Sequence, residues 1–192
     1  MNLNGSQIHL LLNHVPVIGS LGILLILLAA VIRKREEYTR LALGFALLVA
    51  VITIPVLRSG EPAEQRIEHM PGVTEHWISR HEDMGKLALG AALLFGAVAA
   101  LALGSARGGK PLARWVTPAA LVLALVTSGL MAVTAHRGGM VRHTELRPGF
   151  VPPADGVAGE TPAVRADSSA TGTGAEPGEA AEKETEEPRE HH

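Results

Sequence analysis

The side chains in this sequence best suited to chemistry are its histidines. Nine are present, and with the terminal His191 and His192 set aside, His9, His14, His69, His76, His81, His136 and His143 remain. There is no Cys, which removes disulfides, thiolate metal sites, iron–sulfur clusters and covalent c-type haem attachment. Neutral imidazole is left as the main donor, and it suits haem iron, Zn or Cu. His9 and His14 are five residues apart, as are His76 and His81. On a helix five residues turn ~500°, which leaves two rings roughly 140° apart. Neither pair can chelate one ion from one helix as an i, i+4 pair does. Each ring must meet partners on other helices, which is what axial ligation of a flat cofactor in a bundle requires.

The elements that must position these rings are apolar. Four runs are long enough to cross ~30 Å of hydrocarbon as helix: about residues 10–32, 41–57, 87–104 and 115–135. The composition agrees, with 47% hydrophobic residues drawn from Leu, Ala, Val and Ile and only 3% aromatics. A mean hydropathy of +0.22 averages two unlike parts. Residues 1–149 read as a four-helix transmembrane domain. Residues 150–192 carry ten acids against three bases, and read as a disordered acidic tail. The fold class expected is therefore an all-α membrane protein, a four-transmembrane-helix bundle with that tail. The first run lacks a basic n-region and a cleavage site, so it reads as a retained helix.

Two short loops, Arg33 to Arg40 and Ser105 to Arg114, hold seven bases: Arg33, Lys34, Arg35, Arg40, Arg107, Lys110 and Arg114. Positive-inside bias puts that face in the cytoplasm of a bacterial cytoplasmic (inner) membrane, with both termini and the long Arg58 to Lys86 loop outside. All seven histidines then lie at the outer face. Ionisable residues gathered at one membrane depth from several spans mark a functional site. Arg66, Arg80, Arg137 and Arg142 fall at the same depth and could bind haem propionates. Gly85 and Gly129, on the faces of His81 and His136, could leave room for a macrocycle or serve helix packing. A Zn or Cu site built from His14, His81, His136 and His143 with Glu64, Glu68, Glu75, Glu82 or Asp83 is the alternative. The net charge of -2 gives no reason to expect nucleic acid.

Three segments carry a family resemblance: HLLLNHVPVIGSLG in the first span, SGEPAEQRIEH with ISRHEDMG before the third, and AHRGGMVRHTELRPG after the fourth. Over about residues 5–149 the chain resembles the bacterial four-helix membrane family catalogued as domain of unknown function 2231. That resemblance implies a cytochrome b-like haem domain with ligands among its recurrent histidines. Matched position by position, it points to His9 and His14 before Pro16, His81 at the third helix, and His136 and His143 flanking Gly138 and Gly139. The chain departs from the pattern at Val15 and Arg142, where the family has aromatic residues.

The expected function is membrane electron transfer by one or two non-covalent b-type haems, bis-His ligated near the outer face. The expected ligands are His14, His81, His136 and His143, with His9 and His76 as second choices and the pairing open. Expected partners are the lipid bilayer, quinol or an extracytoplasmic redox protein, and other membrane subunits. No nucleophile–base or catalytic carboxylate pair stands in the spans, so a redox carrier without turnover of its own is expected. The alternative is a non-redox or metal-binding interaction subunit of a larger membrane complex.

Overall fold

The computed structural model describes residues 5–152, and every regular element among them is helical. In chain order these are α1 (Gly5–Leu12), α2 (His14–Arg33), α3 (Glu36–Arg58), α4 (Gly60–Glu64), α5 (Glu75–Ser105) and α6 (Val116–Arg142), then a 3-10 turn at Thr144–Leu146. The compact unit ends at Pro152, and the acidic tail from Pro153 lies outside the described residues.

Four segments are long and apolar enough to cross a membrane: Gln7–Arg33, Glu36–Arg58, Glu75–Ser105 and Val116–Arg142. In their most apolar stretches only 28–39% of residues are buried inside the bundle. The remainder includes exposed Leu25, Leu48, Leu94, Leu101, Val122 and Leu125. Water would penalise so much uncovered apolar area, whereas hydrocarbon would not. The spans exceed the apolar runs, most of all in α5, which begins at Glu75, twelve residues before Leu87. Its first turns, EHWISRHEDMGK, are polar but contain no Pro, so helical hydrogen bonding continues past the end of the hydrocarbon-like sequence.

The long helices close a ring in which α2 packs on α3 and α6, and α5 packs on α3 and α6. Ile23, Leu27, Leu43 and Phe95 fill its centre, among Ala42, Ala46, Ala99, Ala120 and Ala124. Small residues set the helix spacing. A Cβ at Gly19 would stand 2.7 Å from Val49 Cγ2, and one at Gly96 would stand 2.7 Å from Ala50 Cβ. In lipid there would be no hydrophobic drive between helices, and such close backbone approach would supply the dispersion contacts that hold them. Pro16 and Pro118 sit in the first turns of α2 and α6, where no intrahelical N–H is forfeited. Pro55 lies inside α3, one turn before its end.

The end of the bundle that holds the short loops is clipped by Arg40 and Glu36. Glu36 Oε1 accepts from Arg40 Nε at 2.8 Å and from the Leu112 N–H at 3.1 Å, while Arg40 also donates to the carbonyls of Ala106 and Lys110. Beneath them the hydroxyls of Thr39 and Thr117 lie 3.1 Å apart and share a hydrogen bond. The turn between α2 and α3 is tight because Lys34 takes φ 51° and ψ 41°. That left-handed conformation costs a side-chain-bearing residue about 1–2 kcal/mol, which is why Gly usually caps helices there.

Candidate functional site

At the other end, two helices bring two histidines together. Asn13 breaks the first span into α1 and α2, and α1 rests mainly on α4, with His9 turned toward the end of α3. His81 stands on α5 and faces α6. The two half-buried rings lie 6.4 Å apart, centroid to centroid, with planes at 89°. Among the described residues no other two histidine rings are in contact.

The hydrogen bonds fix the chemistry of both rings. His9 Nδ1 is 3.2 Å from the Val56 carbonyl and 3.1 Å from Ser59 Oγ, whose own hydroxyl donates to Val56 at 2.8 Å. His81 Nδ1 is 3.0 Å from the Thr134 carbonyl. A carbonyl only accepts, so each Nδ1 carries the proton. Each neutral ring is thereby held in the tautomer whose Nε2 has a free lone pair, the arrangement that backbone carbonyls impose on metal-ligating histidines. Gly138 on α6 makes the fit close: a Cβ there would stand 2.9 Å from His81 Cε1 and 3.2 Å from its Nδ1.

Two imidazoles from different helices, each with Nε2 unprotonated in the neutral ring, are donors that could hold a haem iron. A tetrahedral Zn or Cu site would need more donors, and among the described residues no group of three or more His, Cys, Asp or Glu converges.

The remaining sequence-selected residues stand apart from this pair. His14 is exposed at the start of α2 and donates to the Leu10 carbonyl at 2.9 Å. His76 is exposed and meets the Trp77 ring edge-on at 5.2 Å. His136 is exposed in α6, and His143 just beyond it pairs with Glu145 at 2.8 Å. His69 pairs with Glu68 at the surface. Of the arginines, Arg137 donates to the Arg80 carbonyl, Arg80 lies over Trp77, Arg142 reaches Met70 Sδ, and Arg66 is exposed. A Cβ at Gly85 would meet Leu57 Cδ1 at 3.3 Å, as at a packing glycine, while one at Gly129 would meet nothing within 4 Å.

Sequence reasoning did not find Val56, Ser59 or Thr134, because a carbonyl acceptor leaves no mark on residue type. It also passed over Arg147, the anchor of the surrounding loops. Arg147 donates to the carbonyls of Met140, Val141 and Gly72, and its guanidinium lies 5.6 Å from the Trp77 ring centre. The carboxylates nearby repel one another. Desolvation, then Glu82, Glu68, Glu61 and Glu75, push the Glu64 carboxyl above its ordinary pKa. No family model, curated protein or solved structure matches the chain.

Proposed function

We propose that this chain is a membrane electron-transfer protein that binds a non-covalent b-type haem through His9 and His81. The observation that carries the reading is the pair itself: two imidazoles from different helices, 6.4 Å apart centroid to centroid, each with Nδ1 tied to a carbonyl. The resemblance to the four-helix family of unknown function points the same way. Haem iron would supply the one-electron couple. The chain supplies a rigid ligand pair, because Val56 and Thr134 hold both rings before any cofactor arrives and so reduce the ordering cost of binding.

The pair lies at the end of the bundle that bears α4 and the long loop, which in a membrane would leave it within reach of an acceptor outside the lipid. Arg80 and Arg137, joined at the Arg80 carbonyl, are the cations best placed by sequence to meet propionates. Orientation with this end outside, and quinol as donor, belong to the same proposal. The test is haem content per chain, by pyridine haemochrome assay, of protein made in haem-replete cells. Wild type and His14→Ala should retain haem, and His9→Ala and His81→Ala should lose it or turn high-spin. Colourless wild-type protein would end the reading in favour of an interaction subunit.

A further inference from the structure

The end of the bundle remote from the histidines carries a cleft of ≈ 290 Å³ that the electron-transfer reading does not use. It opens where α2 ends and α3 and α6 begin, at the water boundary of the spans, and its lining includes Lys34, Arg35, Glu36, Thr39, Arg114 and Thr117. Its charges are unequal in how far they are satisfied. Glu36 is committed to Arg40 and to the Leu112 N–H, and Arg35 pairs with Glu37 at 3.2 Å. Among the described residues Lys34 and Arg114 have no carboxylate partner. The cleft therefore keeps two uncompensated cations above a pair of threonine hydroxyls.

Lys34 adds a second observation. It is the one non-glycine residue with positive φ among those described, at a helix end where glycine would relieve the strain. Strain retained at a cleft, in a residue that brings a charge, points to a use for that charge. A guanidinium and an ammonium at headgroup depth match an anionic phosphate, the first by its planar fork and the second as a point charge.

We propose that this cleft binds a phosphate group through Lys34 and Arg114, carried by an anionic glycerophospholipid headgroup or as free phosphate. Each cation near an anionic surface strengthens binding about fivefold, so the two together give about a 25-fold preference for a net-anionic ligand. The site is independent of the histidine pair and survives if the haem reading fails.

The test is native mass spectrometry of the full chain in detergent, titrated with dioctanoyl phosphatidylglycerol, dioctanoyl phosphatidylcholine and inorganic phosphate. Phosphatidylglycerol should bind about 25-fold tighter than phosphatidylcholine. Lys34→Gly should lose about fivefold of that preference while its unfolding temperature stays level or rises, a combination that a purely structural lysine would not give. Lys34→Gly with Arg114→Gln should abolish the preference, and Arg107→Gln, outside the cleft, should keep it. Displacement of the lipid by millimolar inorganic phosphate assigns the site to free phosphate, and persistence of the lipid assigns it to the headgroup. Wild type that neither prefers phosphatidylglycerol nor takes up phosphate overturns the proposal, as does a Lys34→Gly variant that keeps the full preference.

Discussion

Gly138→Ala tests whether α6 is closed against the His81 ring. The added Cβ would stand 2.9 Å from His81 Cε1, and the ring cannot swing away without breaking its bond to the Thr134 carbonyl. The counterweight is helix propensity, since Ala improves on Gly by about 0.5–1 kcal/mol in a helix interior. Gly90→Ala on α5 isolates that gain, because a Cβ at Gly90 meets nothing within 4 Å. Overpacking costs about 1–3 kcal/mol, and that is the expected gap between the two variants. At about 2–4 °C per kcal/mol for a chain of this size, Gly138→Ala should melt roughly 2–12 °C below Gly90→Ala. Circular dichroism of the full chain in one detergent at a fixed pH gives the comparison. If the two variants melt together, His81 does not pack where it is placed, and the tautomer argument built on Thr134 falls with it.

Gly96→Ala should be destabilising by about 1–3 kcal/mol in the same assay, because its Cβ would meet Ala50 Cβ at 2.7 Å and force α5 from α3; a neutral result would contradict the close approach. Arg147→Ala should raise hydrogen exchange around Gly72 and Met140–Val141 while leaving the centre of α6 protected, since it removes the donor shared by those carbonyls. Unchanged exchange would mean the loops are held otherwise. The Glu145 carboxyl is held below its ordinary pKa by its own backbone N–H and then by His143. A depressed folded pKa stabilises above the unfolded value and is lost as pH falls through the folded one. The Thr144–Leu146 turn should therefore loosen only below the ordinary glutamate range, and loosening already between pH 7 and 5 would refute that sign.

The four long helices were legible because a helix able to cross a membrane must be apolar all round, and residues such as Leu25, Leu94 and Val122 carry that requirement in their type. The ends were less legible. Hydropathy reports which residues suit hydrocarbon and is silent on where helical hydrogen bonding stops, so α5 starts at Glu75 and not near Leu87. The five-residue spacing of His76 and His81 separates an exposed ring from an inward one, as helical geometry requires. It could not say that His81 would meet His9 and not His14. That outcome turns on the break at Asn13 and on the reach of His9 to Val56, both tertiary facts. The left-handed Lys34 was hidden for the opposite reason, because a lysine is an improbable residue for that conformation.

The measurement closest to the central claim is the absorption spectrum of purified wild type and of His9→Ala, oxidised and dithionite-reduced, with and without carbon monoxide. Wild type should be low-spin, with sharp reduced bands that carbon monoxide barely changes, because His9 and His81 would together hold the iron and leave carbon monoxide no open position. His9→Ala should either lose the Soret band or bind carbon monoxide through one opened position. A wild-type spectrum without a Soret band, or a His9→Ala spectrum indistinguishable from a haem-loaded wild type, would contradict the account.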